Sequence, residues 1–174
     1  MEKLPATLSL VSYKDPILKE VMPRFNFENP SYDPEELALK LVSCMKENGG
    51  IGLSCNQVGL RVNAFVMMAE PAIVCFNPKV VDTSSESETA LESCLTYKGV
   101  AVKVSRKKVI KVRFTLYTGE TVTKQYQDMT SRVFLHELSH LNGRTMFDDA
   151  NYLNREIARK KFKKLCRQSE KFDA

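Results

Sequence analysis

Residues 129–143, MTSRVFLHELSHLNG, decide how this chain is read. The stretch predicts a helix from about Met129 to Leu141. Asn142 and Gly143 close it, and Gly143 suits a left-handed C-terminal cap. Residues four apart on a helix share a face, so His136 and His140 turn two imidazoles toward one point. With a glutamate after the first histidine, this meets the requirement of the HExxH metal motif. The competing reading is an ordinary polar helix. Composition argues against it, because the chain has two histidines in all and both lie here. Chance alone gives that spacing about 1% of the time, before the glutamate is required. Glu137 can lean over an open metal position, take a proton from bound water and pass it to a leaving group.

A catalytic zinc or iron centre takes about three protein ligands and leaves a place for water. No third histidine exists. Glu156, sixteen residues after His140 on the next predicted helix, is one candidate. A thiolate is the alternative. The five cysteines stand singly at 44, 55, 75, 94 and 166, with no CxxC pair. That is no disulfide framework and fits a reducing compartment. Cys44 and Cys166 fall on predicted helices and Cys75 in an apolar strand, so these three read as packed core. Cys55, in GIGLSCNQVG, and Cys94, in ALESCLTYKG, lie in less apolar, irregular contexts. Residue chemistry alone leaves Glu156, Cys55 and Cys94 open.

Outward from this stretch, the pattern is α+β. In DPEELALKLVSCMKENGG, Asp33 can cap, Pro34 suits the first helical turn and Glu36 holds the capping-box position. Leu37, Leu41 and Met45 mark one face, and Asn48, Gly49 and Gly50 stop the helix. RVNAFVMM and AIVCF are short apolar strands. Val100, Val102 and Val104 alternate, as do Ile110, Val112, Phe114 and Leu116. YTGE (117–120) is a hairpin turn from which TVTKQY returns. TSSESET (83–89) reads as a surface loop. A last helix covers roughly 152–170, with Ala158, Phe162, Leu165 and Cys166 as its apolar stripe. The expected fold is therefore antiparallel sheets packed around a central helix that carries HExxH, with a C-terminal helix.

The 174 residues suit one domain, 1–174. No apolar run approaches the ~20 residues of a membrane span, and no signal or transit peptide is expected. The formal net charge is +5, much of it in NREIARKKFKKLCRQSEK near the C-terminus. That segment reads as the solvated face of a helix, or as a contact for an acidic partner such as ribosomal RNA.

Three stretches then converge. GIGLSCNQ (50–57), ESCLT (92–96) and HELSHLNG (136–143) resemble the signature motifs of peptide deformylases, GxGLAAxQ, EGCLS and HExDHLxG, in the same order. The likeness extends from DPILKEV to the basic C-terminal helix. The resemblance implies removal of the formyl group from the N-terminal formyl-methionine of nascent polypeptides, with release of formate. It implies Cys94, His136 and His140 as ligands of one divalent ion, with Glu137 as general acid/base. Gln57, by its side-chain amide, and Leu95, by its backbone N–H, become oxyanion donors. The carbonyl of Gly52 would hold the substrate backbone, and Ile51 and Val133 would wall a methionine pocket. The family usually uses ferrous iron (Fe2+), with Zn2+, Ni2+ or Co2+ as substitutes. A cytoplasmic protein is expected, with ribosome contact through the basic helix and with neither membrane nor DNA as partner.

Several positions depart from the family pattern. Ser93 stands for the glycine before the cysteine, Ser139 for the aspartate inside HExDH, and Leu135 for a glutamine. Ser54 and Cys55 stand for two alanines. None removes a ligand or the acid/base, so the departures bear on the surroundings of the ligands. Two rivals are carried: an HExxH zinc metallopeptidase with Glu156 as third ligand, and a ribosome-associated module whose metal is structural.

Overall fold

The structure, a computed structural model, describes residues 1–172. Its strands are β1 (Gly52–Ser54), β2 (Ala64–Met67), β3 (Ile73–Thr83), β4 (Ser87–Ser93), β5 (Ala101–Lys107), β6 (Val109–Thr115) and β7 (Thr121–Gln127). Its helices are α1 (Pro34–Glu47), α2 (Asp128–Leu141), α3 (Met146–Asp149) and α4 (Tyr152–Phe172). One antiparallel sheet runs β1-β2-β3-β6-β7, and β4 and β5 form a separate antiparallel pair. This is a mixed α/β fold with antiparallel sheets and a C-terminal helix.

The short strand β2, AFVM, shows how the core is divided. All four of its residues are buried, because both faces are covered. Ala64 and Val66 enter the core formed with Leu37, Leu41 and Met45 of α1. Phe65 and Met67 enter the opposite core, formed with Phe134 and Leu141 of α2. A strand covered on both faces reads as an unbroken apolar run. β6 is the one-sided case: Ile110, Val112 and Phe114 are buried in the α2 core, while Lys111 and Arg113 are exposed. Phe134 anchors α2 by meeting Phe65 edge-on, with ring centroids 5.0 Å apart at 84°. Truncating such a buried ring to alanine costs roughly 3–5 kcal/mol.

Specific contacts fix the start of α1 and the end of α2. The Asp33 carboxylate accepts the Glu36 backbone N–H at 2.7 Å and caps α1, with Pro34 in the first turn. The C-terminus of α2 is pinned by the segment after DPILK. There Met22 donates its backbone N–H to the Leu141 carbonyl at 2.8 Å. Gly143 follows with a φ of 67°, and a Cβ there would sit 2.5 Å from the Lys19 carbonyl oxygen. A side chain at 143 would therefore push the helix off its clamp.

Two local expectations change. Residues 83–89 are mostly strand, since Thr83 ends β3 and Ser87, Glu88 and Thr89 begin β4. The polar run marks an exposed antiparallel strand, whose pairing with β5 depends on backbone hydrogen bonds rather than apolar side chains. Cys166 is half-buried rather than core.

Candidate metal centre

α2 and the turn after β4 bring three side chains together. Cys94 Sγ lies 3.3 Å from His140 Nε2, which lies 3.2 Å from His136 Nε2. Among the described residues, Cys94, His136 and His140 form the one group of three or more His, Cys, Asp or Glu whose donor atoms all lie within 4.8 Å of one another. His140 is fully buried, and His136 and Cys94 are only 8% and 9% exposed. The donor chemistry fits one cation. A sulfur and two ring nitrogens converge with their lone pairs toward a shared point, which is favourable only around positive charge.

The electrostatics agree. Burial would raise the Cys94 thiol, but the charge and hydrogen bonds of His140 and His136 hold it well below the usual thiol range. Burial also opposes charge on His136. Its hydrogen bonds to Cys94 and Glu92 outweigh that and lift its pKa to about 10. The same anionic surroundings that favour a proton on His136 would favour a cation, which displaces that proton on binding.

A buried ion cluster stands behind the histidine. Glu92 Oε2 accepts from His136 Nδ1 at 3.0 Å. The same carboxylate accepts from Arg106 Nε at 2.9 Å, Arg106 Nη2 at 2.8 Å and Arg132 Nη1 at 2.9 Å. Burial alone would raise the Glu92 pKa. The hydrogen bonds from His136 and Arg106 prevail and lower it from its ordinary 4.5 to about 2. A lowered folded-state pKa means that the cluster's stabilisation is complete above pH 4.5 and is lost as pH falls through about 2. We therefore expect the metal-free protein to lose roughly 3 kcal/mol across that window. Urea unfolding at stepped pH checks this; in Glu92→Gln the corresponding part of the acid limb should be flat.

Glu137 sits beside the three donors on α2, 4% exposed. Its Oε2 accepts the Ser54 hydroxyl at 2.6 Å. Burial raises its pKa, against the opposing pull of the two imidazoles and the Ser54 hydrogen bond. Oε1 faces Gly52, where an added Cβ would collide with it. Gly52→Ala is thus expected to displace the carboxylate and to lower the kcat/KM of any reaction at this site by about 100-fold, with metal content unchanged. Steady-state kinetics beside elemental analysis measures both.

The remaining predicted residues line one cavity of about 590 Å³, which includes Ile51, Gly52, Gln57, Leu95, Val133 and Glu137. Gln57 is oriented by the Ser54 backbone N–H, which donates to its Oε1 at 2.9 Å. Its Nε2 therefore faces Cys94 Sγ at 3.4 Å and Thr96 Oγ1 at 3.0 Å. Leu95 packs beneath the Gly50–Gly52 loop, where a Cβ at Gly50 would lie 2.7 Å from Leu95 Cδ1. Ile51 is 55% exposed, at the cavity mouth rather than in the core. Val133 is half-buried.

Other candidates fall elsewhere. Cys55 is fully buried in the α1 core, where desolvation pushes its thiol up, so it is no metal donor. Glu156 lies half-buried on α4, outside the three-donor group. Ser93 is exposed at the end of β4 with an ordinary φ, so its Cβ meets no conformational penalty. Nothing in the sequence alone assigns a role to Glu92, Arg106, Arg132 or Asp149. One signal was present: Arg106 continues the inward register of Val100, Val102 and Val104, a charge where an apolar residue is expected.

Residues 7–156 match the family model described as Polypeptide deformylase. A peptide deformylase of Desulforudis audaxviator is 35% identical over 147 residues, covering 83% of this chain and 94% of that protein. One from Thermotoga petrophila is 32% identical over 157 residues, covering 89% and 94%. Among solved structures, a plant peptide deformylase superposes with a TM-score of 0.88 at 28% identity, covering 98% of this chain and 95% of that one. A Plasmodium falciparum peptide deformylase in complex with an inhibitor gives 0.82 at 28% identity, covering 91% and 99%.

Proposed function

The chain belongs to the peptide deformylase family of hydrolases, and from that premise we propose that it hydrolyses the N-formyl group of N-terminal formyl-methionine on nascent polypeptides at the Cys94–His136–His140 centre. One observation carries the reading. A sulfur and two imidazole nitrogens converge beside a buried glutamate on the wall of an accessible cavity.

Cys94, His136 and His140 would hold one divalent ion, ferrous iron by family habit with zinc, nickel or cobalt as substitutes, and that ion would supply a Lewis acid and acidify a water. Glu137 takes the proton of the attacking water and returns it to the amine nitrogen as the C–N bond breaks. Ser54 holds one carboxylate oxygen, which leaves the oxygen facing Gly52 to work. The raised pKa of Glu137 suits a group that must both accept and give a proton near neutrality. The Gln57 Nε2–H and the Leu95 backbone N–H donate to the developing oxyanion, each worth about 3 kcal/mol. The Gly52 carbonyl aligns the substrate backbone, and Ile51 and Val133 flank the methionine side chain.

In this reading residues 1–174 act as one catalytic domain in the cytoplasm, and the basic face of α4 meets ribosomal RNA. No helix among the described residues is long and apolar enough to cross a membrane. The test pairs elemental analysis of anaerobically purified protein with formate release from formyl-Met-Ala-Ser. About one metal per chain and stoichiometric formate are expected. Cleavage of internal peptide bonds without formate would favour a metallopeptidase. A ferrous site with a sulfur ligand near solvent should also lose activity in air, whereas the nickel form should keep it.

A further inference from the structure

Behind His136 the ion cluster continues past Glu92 to a carboxylate on another helix. Arg106, itself 9% exposed, spends Nε and Nη2 on Glu92. Its remaining terminal nitrogen, Nη1, donates to Asp149 Oδ2 at 2.7 Å and lies 3.2 Å from Ser139 Oγ. Ser139 donates its hydroxyl to the same Asp149 oxygen at 2.5 Å. Asp149 comes from the last position of α3, and its other oxygen holds the half-exposed Arg144 at 2.9 Å. One buried guanidinium is thus gripped at both ends, by Glu92 and by Asp149.

We propose that Asp149 is a positioning residue for the metal centre: through Arg106 it fixes the Glu92 carboxylate, which sets the tautomer and ring angle of His136. The inference rests on the site assignment made above. Three features support it. The line Asp149–Arg106–Glu92–His136 consists of contacts between 2.7 and 3.0 Å. Glu92 is deeply buried and Asp149 largely so, at 3% and 10% side-chain exposure, which limits the screening of each contact. Arg132 cannot replace Asp149, since it is a second cation, and its Nη1 and Nη2 also donate to the Val104 and Glu88 carbonyls.

Position 139 gives the geometry its meaning. It lies between the two metal histidine positions on α2, where the family pattern has an aspartate and this chain has a serine. A carboxylate at 139 would extend one bond beyond the Oγ position, into the space beside Arg106 Nη1 and Asp149 Oδ2, both of which already lie within hydrogen-bond distance of that Oγ. Asp149 therefore supplies from α3 the charge that α2 lacks, and Ser139 is the hydroxyl that makes room for it.

The test relocates the charge. Cobalt(II) is titrated into metal-free parent, Asp149→Asn and the double variant Ser139→Asp/Asp149→Asn, against a competing chelator. Loss of an outer partner to a metal ligand weakens binding by about 10–100-fold, and about 10-fold is expected for Asp149→Asn. The double variant should return to within about twofold of the parent, because its carboxylate again meets Arg106 Nη1. A purely structural role would lower the melting temperature of Asp149→Asn without this recovery of cobalt affinity. Parent-like affinity in Asp149→Asn, or a double variant as weak as the single, overturns the proposal. If Asp149→Asn fails to fold, the double variant decides alone: folded and parent-like supports, folded and weak or unfolded overturns. Formate release is read on the same samples. A parent that binds cobalt yet releases no formate overturns the functional reading and leaves the anchor standing; a parent that binds no cobalt overturns both.

Discussion

Glu137→Gln should lower kcat for formate release about a thousandfold, while metal content, melting temperature and KM stay near those of the parent. The size follows from what the residue does. A positioned acid/base contributes about 10²–10⁴ to rate, and the cavity's other carboxylate among the described residues, Glu92, is already held by His136, Arg106 and Arg132. Retention of fold follows from the surroundings. Glutamine keeps the buried volume, and its amide oxygen can still accept the Ser54 hydroxyl that now meets Oε2. An effect confined to kcat and kcat/KM marks an interaction made in the transition state. A rise in KM with unchanged kcat would instead make Glu137 a substrate-binding group and remove the proposed proton path.

Cys94→Ala is the second large effect. It deletes one of three donors and the anion that most directly balances a divalent charge between the imidazoles. Losing an outer partner costs about 10–100-fold in metal affinity, so loss of a donor should cost more and leave little metal after dialysis. Formate release should vanish with it. The melting temperature of protein purified with metal should drop to that of the metal-free parent, because metal that binds only the folded state stabilises it by mass action. A Cys94→Ala protein with parent-like metal stoichiometry would mean that another side chain completes the site. Cys55 is barred from that part by its place in the α1 core.

How far these assignments were legible depended on the distance each argument had to reach. The histidine pair was readable because helical periodicity places residues four apart on one face, a rule local to a single element. α2, with its left-handed Gly143 cap, matches that reading. The one-sided burial of β6 was equally local. Choosing among Cys55, Cys94 and Glu156 was not, because it depends on which element folds against α2. Only the family motifs pointed to Cys94. The ion cluster was harder still. Glu92, Arg106, Arg132 and Asp149 come from four elements, and three of them read alone as ordinary surface charges. Arg106 alone broke a pattern, since the alternation of β5 turns it inward. The strand at Ser87–Ser93 was hidden for another reason: its face is exposed, and backbone pairing leaves no hydropathy signal.

X-ray absorption at the zinc edge of zinc-loaded protein tests the central claim most directly, because it counts the atoms around the ion. The account predicts one sulfur at about 2.3 Å, two imidazole nitrogens at about 2.0–2.1 Å and one further light atom. A shell of nitrogen and oxygen alone, with no sulfur at bonding distance, would contradict it.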